Sequence, residues 1–279
     1  MKRIIKIEDI KEKIYNLIVE ANYILPDDVC NKLKEAQQIE EDVPKNTLDI
    51  LNKNIELAKI KKRPICQDTG MAVFFVEIGE EIVLEGSITD TIFEMTEKAY
   101  KENYFRKSVV KSPIERINTD NNLPPVIHYE IIKGDKLKIY FMPKGFGSEN
   151  KSRLVMLNPA DGTEGIINFV VETVKIAGSD PCPPVVVGIG VGGTFEKAAI
   201  LSKKALLRKI GQRNEKPYIK ALEEEILKRI NSLGIGPEGF GGKTTALDVF
   251  IEEYPTHIAG LPVAVNICCH VARHGEIII

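Results

Sequence analysis

The sequence carries no excess charge of either sign: 38 basic side chains stand against 40 acidic ones in 279 residues. No polyanion-binding surface is expected, so nucleic acid is excluded as a partner class, while a local cationic pocket for a small diacid stays open. The opening MKRIIKIEDIKEKIYNLIVEA interrupts its apolar residues every two or three positions with Lys, Glu or Asp. Neither a signal-peptide core nor a membrane span tolerates that, and the expectation is a cytoplasmic chain with no membrane partner. Low-complexity linkers and internal repeats are also missing, and with them any sharp domain boundary. The five cysteines, Cys30, Cys66, Cys182, Cys268 and Cys269, are odd in number and widely spaced. That pattern excludes the even disulfide framework of small secreted proteins and leaves buried thiols, a nucleophile or metal ligands.

Hydrophobic periodicity divides what is present into two textures. Ile7, Ile10, Ile14, Leu17, Ile18 and Ala21 recur at helical spacing, as do Leu48, Leu51, Ile55 and Ala58, and Pro26-Asp27-Asp28 marks a break and a helix start between them. From Pro64 onward short apolar strands alternate with amphipathic helices. MAVFFVEIG, EIVLEG, PPVVVGIGVGG and VAVNIC read as strands; ITDTIFEMTEKAYKENYF, DGTEGIINFVVETVKIAG, TFEKAAILSKKALLRKIG and YIKALEEEILKRINSLG read as helices. VIHYEII and LKIYFMP predict a hairpin turning at Gly134-Asp135. The fold class is α/β, with mixed sheets flanked by helices: a helical segment over residues 1–60 and an α/β region over 61–279, forming one structural unit.

Two glycine motifs suggest phosphate chemistry. Gly188-Ile189-Gly190-Val191-Gly192-Gly193 satisfies GxGxxG between a strand and a helix, but the second strand with its acidic end is missing because helix follows. Close helix packing, or close approach of the backbone to a bound group, is the plainer use of these glycines. Gly241-Gly242-Lys243-Thr244-Thr245 resembles the end of a P-loop, yet Pro237 stands where the first glycine is required. The amides of this turn are left as a candidate anion nest.

The cysteines are placed more suggestively than they are spaced. Cys66 sits in the polar turn Pro64-Ile65-Cys66-Gln67-Asp68-Thr69-Gly70, and Cys182 lies between prolines in Asp180-Pro181-Cys182-Pro183. Cys268 and Cys269 end the last strand, where alternation sends them in opposite directions. By spacing alone all could be core thiols. Three thiols at strand–helix junctions also suit a 4Fe-4S cluster with one iron lacking a protein ligand, or zinc completed by His270 or His257. A structural or redox metal module is therefore the alternative to an enzyme.

RPICQDTGMAVFF, MPKGFGSENKS, GSDPCPPVVVGIGVGGTFEKAA, GFGGKTTALDV and HIAGLPVAVNICCHVARH together closely resemble the amino-terminal half, or separate alpha subunit, of class I fumarate hydratases and the related L-tartrate dehydratases. The resemblance spans essentially the whole chain. It implies a hydro-lyase interconverting malate and fumarate, or tartrate and its product, with Cys66, Cys182 and Cys269 ligating a 4Fe-4S cluster in the α/β region. It further implies substrate contacts from Gln67, Asp68, Arg106, the Gly145 backbone and His257, with Asp68 as the catalytic acid/base. Read without it, Asp68 suits an Asx-turn, Arg106 a solvated surface charge and His257 a packed histidine. The implied chemistry is coherent. Dehydration needs a Lewis acid for the leaving hydroxide and a base for the neighbouring proton. The family carries a second substrate-holding domain further along one chain or on another subunit. Since this sequence stops just past the third cysteine motif, an obligate beta subunit in an assembly such as α2β2 is expected, acting on a small dicarboxylate.

Overall fold

The computed structural model describes residues 2–279. The chain opens with a short strand β1 (Arg3–Lys6), followed by helices α1 (Lys11–Tyr23), α2 (Asp27–Ile39) and α3 (Asp42–Lys61). Strands β2 (Met71–Gly79) and β3 (Ile82–Glu85), helix α4 (Ile88–Glu102), and strands β4 (Val126–Ile132) and β5 (Leu137–Lys144) come next. The single turn α5 (Phe146–Glu149) leads into β6 (Arg153–Leu157), α6 (Gly162–Ala177), β7 (Val185–Gly192), α7 (Phe195–Ala205) and α8 (Pro217–Asn231). Strands β8 (Ala246–Tyr254), β9 (Leu261–Cys268) and β10 (Gly275–Ile278) end the chain. The α/β class is as the sequence implies. Among the described residues no helix is long and apolar enough to cross a membrane.

Two compact units result, and the helical opening is distributed between them. The first holds the residues up to Pro26, Ile55–Phe146 and Arg273–Ile279; the second holds Asp27–Asn54 and Gly147–Ala272. In the first, the sheet order is β10-β5-β2-β4, with β2 parallel to β4 and antiparallel to β5. The hairpin expected at Gly134-Asp135 does not form, because β2 lies between the two strands. Their link crosses the end of β2 instead: the Gly79 amide donates to the Lys136 carbonyl and the Glu81 amide to the Gly134 carbonyl. A Cβ at Gly79 would stand 2.3 Å from the Gly134 oxygen, so the crossing requires glycine there. Helix α1 packs on β5, β10 and α4, burying Ile14, Leu17 and Ile18 with Phe74, Val76, Ile139 and Phe141.

The second unit is built on a sheet of order β6-β9-β7-β8, in which β7 is parallel to β8 and antiparallel to β9. Alternation along β7 decides its packing. Val185, Val187 and Ile189 join the apolar cluster formed with α6 and α8. Gly188 and Gly190 lie on the other face, where a Cβ would stand 2.1 Å from the Ser202 carbonyl oxygen of α7 and 2.0 Å from that of Ala198. These glycines lie inside the strand and let α7 rest on its backbone, so they are not a phosphate-binding turn. The anion nest suggested at Gly241–Thr245 is likewise filled from within. The Glu40 carboxylate, 2% exposed, accepts from the Lys243 amide at 2.8 Å and the Thr244 amide at 2.6 Å.

Candidate active site

In the first unit, strand directions bring the proposed site residues to one rim. The Cys66–Gly70 turn precedes β2, Gly145 follows the antiparallel β5, and the segment holding Arg106 precedes β4, which is parallel to β2. The turn is fastened mostly by buried groups. The Ile65 amide donates to the Asn22 carbonyl, the Tyr100 hydroxyl donates to the Thr69 and Gly70 carbonyls at 2.9 and 3.0 Å, and Asn122 Nδ2 reaches the Gly70 carbonyl at 3.3 Å. Burial pushes the Tyr100 hydroxyl far above its ordinary range, with the nearby Arg273 charge opposing and Asp68 adding, so it stays a donor.

Asp68 sits at the centre of this arrangement. Its Oδ1 accepts from the Gly70 amide at 3.0 Å, the Asx-turn that its sequence context suggests. Its Oδ2 accepts from the Phe146 amide at 2.9 Å, next to Gly145, where a Cβ would come within 3.3 Å of the same oxygen. The carboxylate is thereby aimed, half-buried, at the Gly145 backbone. Gln67 is exposed beside it. Arg106 is fixed through its backbone: the Thr69 hydroxyl donates to its carbonyl, and the amides of Ser108 and Val109 donate to Asn122 Oδ1. Its own guanidinium is exposed and makes no ion pair among the described residues.

In the second unit, Cys182 and the Cys269 segment meet at one end of the sheet. Cys182, exposed and with a left-handed φ of 55°, precedes β7, while Cys268 ends the antiparallel β9. The backbone amide of His270 donates to the Cys182 carbonyl at 3.2 Å, and His270 Nδ1 stands 3.0 Å from the same oxygen and 3.1 Å from Glu238 Oε1. Two acceptors around Nδ1 place the proton on that nitrogen. Cys268 is paired with Val186 and buried, whereas Cys269 lies beyond the strand and is half-buried. Cys30 is on α2. His257 is not gathered with the thiols of its unit. It follows β8, at the other end of the eight-residue β7, roughly 23 Å away at the usual strand rise. There it is exposed rather than packed, lining a cleft of about 550 Å³ with Gly193, Thr194, Lys197 and Tyr254.

The donor set fits a thiolate-ligated metal centre, an iron-sulfur cluster or zinc. The five cysteines are thiols, and His270 directs Nδ1 at the Cys182 carbonyl, the arrangement that leaves Nε2 as the nitrogen a metal would use. Among the described residues no three His, Cys, Asp or Glu side chains are gathered as around a single ion.

Sequence reasoning missed Asn22, Tyr100, Asn122 and Arg273, which fasten the Cys66 turn, and Lys144, buried at 1% exposure one residue before Gly145. The left-handed φ of 60° at Asn122 gives its one local hint, an Asn in a turn-rich stretch.

A family model described as "Fumarate hydratase (Fumerase)" matches residues 11–278. The chain is similar to a "Putative L(+)-tartrate dehydratase subunit alpha" of Methanocaldococcus jannaschii, 46% identical over 274 residues, which cover 95% of this chain and 96% of that one. It is also similar to an "L(+)-tartrate dehydratase subunit alpha" of Escherichia coli, 32% identical over 278 residues, covering 98% of this chain and 91% of the relative.

Proposed function

The chain belongs to the fumarate hydratase (Fumerase) family of hydro-lyases, and from that premise we propose that it is the alpha subunit of an enzyme that reversibly dehydrates a four-carbon hydroxy-diacid, malate to fumarate. L-tartrate is the second reading, favoured by the names of two relatives. The observation that carries the proposal is Asp68: a carboxylate oriented by two backbone amides, beside an exposed Gln67 and an exposed Arg106.

Cys66, Cys182 and Cys269 would hold a 4Fe-4S cluster. When bound, such a cluster supplies a Lewis-acidic iron without a protein ligand, which suits a hydroxyl that must leave as hydroxide. The chain's own residues supply the rest. The Arg106 guanidinium, with its five donors, binds a substrate carboxylate in two-point fashion, and the Gln67 amide fixes the second polar end. The Asp68 carboxylate takes the proton from the carbon next to the hydroxyl-bearing one and returns it in the hydration direction. Its two amide donors hold it in one rotamer before substrate arrives, which lowers the entropy still to be lost in the transition state. His257 would hold a carboxylate oxygen of the substrate, as the family resemblance implies; within its own sheet it stands at the opposite end from Cys182 and Cys268.

Turnover of anaerobically purified enzyme with L-malate, L-tartrate and D-tartrate tests the reading. Dehydration of L-malate supports it, dehydration of L-tartrate alone selects the second, and activity on none of the three overturns both.

A further inference from the structure

Arg273 is 3% exposed and begins the C-terminal stretch that belongs to the first unit. Its Nη2 donates to the Asp68 carbonyl at 2.8 Å, its Nη1 to Asn22 Oδ1 at 3.3 Å, and its Nε is buried without a hydrogen-bond partner. Asn22, 0% exposed on α1, passes the restraint on, since its carbonyl accepts from the Ile65 amide. The turn is thus held on both sides of Cys66-Gln67: at Ile65 by Asn22 and at Asp68 by Arg273. Tyr100 and Asn122 grip only the residues after it.

The choice of residue is informative. A guanidinium stays ionised when buried, and burying it without a carboxylate is costly. Arg273 makes no ion pair among the described residues, and both of its acceptors are neutral oxygens. Two neutral oxygens do not require a cation. The anionic group at this rim is the Asp68 carboxylate, whose own carbonyl Arg273 holds, and the proposed substrate brings two more.

We propose that Arg273 is a positioning residue for the dehydration: by gripping the Asp68 carbonyl it sets the direction in which the Gln67 amide and the Asp68 carboxylate face the substrate, and its charge underlies an anionic site. The proposal rests on the reading of Asp68 as acid/base. It goes beyond that reading by assigning part of the site's geometry to a residue that does not touch substrate.

The assembled holoenzyme, as wild type, Arg273→Lys and Arg273→Met, gives the test through three measurements: iron per chain, amide hydrogen exchange of the peptide spanning residues 65–71, and kcat with KM. In Arg273→Met the iron content is expected to stay at the wild-type level while exchange at Thr69 and Gly70 rises about 10-fold. Its kcat should fall roughly 100-fold, the penalty of a small misplacement of a reacting group, with KM moving less than about 3-fold. Arg273→Lys, which keeps the charge but on a single nitrogen that cannot span both acceptors, should recover part of both losses. Wild-type exchange together with wild-type kcat in Arg273→Met overturns the proposal. Loss of iron in step with kcat also overturns it, because Arg273 would then serve the cluster rather than Asp68; should the Met variant not fold, the Lys variant is judged by the same criteria. If the wild-type enzyme dehydrates no hydroxy-diacid, the functional reading fails by itself, and the exchange data alone decide whether Arg273 fixes the turn.

Discussion

Asp68 shows how one side chain can satisfy a bland reading and a functional one at once. It forms the Asx-turn its context suggests, and the same turn presents its second oxygen to the Phe146 amide. Asp68→Asn removes the base and forces an NH2 group toward a backbone N–H, so kcat is expected to fall at least ~100-fold with iron content unchanged. Turnover and iron assays on one preparation check this; a variant within a factor of a few of wild type removes Asp68 from the mechanism. The thiols make a parallel test. Serine at Cys66, Cys182 or Cys269 should each lose cluster iron, measured by iron and sulfide content. Cys30→Ser, on α2, and Cys268→Ser, in the strand, should keep it. Strand alternation says that only one of Cys268 and Cys269 faces a given site; the choice of Cys269 comes from the family resemblance, and the structure adds that Cys268 still pairs with Val186 inside the strand. Arg273 was illegible because its partner Asp68 is 205 residues away, and no local pattern records such a contact.

At the level of elements, β7 and α7 carry a testable packing argument. Alanine at Gly188 or Gly190 puts a methyl about 2 Å from a backbone oxygen of α7, and neither backbone can give without breaking its own ladder. Each substitution should cost about 1–3 kcal/mol or more, read from urea unfolding. Gly134→Ala, where the left-handed φ of 96° is the sole penalty and nothing lies within 4 Å, should cost about 1 kcal/mol. An equal cost at the three sites would refute the close approach of α7. The boundaries of β2, β7 and α6 follow from their apolar runs and turn residues, so the sequence predicted them nearly as observed. Pairing does not follow from such local signals. VIHYEII and LKIYFMP form strands where expected, yet β2 separates them, because partner choice depends on segments distant in sequence. Strand β8 went unread for a related reason. ALDVFIEEY follows a glycine-rich turn that resembles a phosphate motif, whereas Glu40, just past α2, fills that turn.

For the whole molecule, charge balance at the site decides what else the enzyme needs. A hydroxy-diacid brings two carboxylates, and the rim of the first unit offers one exposed cation, Arg106, among the residues proposed to touch substrate. Arg273 is buried behind the turn and reaches only neutral oxygens, so it adds field without adding a contact. The second carboxylate, met in this chain by neutral groups such as the Gln67 amide, therefore needs a countercharge from elsewhere, and the exclusion of water that strengthens every charge interaction during proton transfer needs closure from elsewhere too. Both similar proteins are named as an alpha subunit. We expect this chain to act with a beta subunit that contributes cationic and polar groups, in a symmetric assembly such as α2β2. Produced alone and reconstituted anaerobically, it should hold cluster iron but dehydrate substrate at least ~100-fold more slowly than the co-produced pair, since losing a charged substrate contact and the closed site removes several kcal/mol of transition-state stabilisation. Gel filtration of the co-produced proteins should give one complex larger than either chain. Kinetics on the isolated chain should show the deficit in kcat/KM, with added beta subunit restoring it in a saturable titration. A lone chain that turns over at the full rate would show that its own residues meet both carboxylates, and would return the search for the second cation to the rims of this chain.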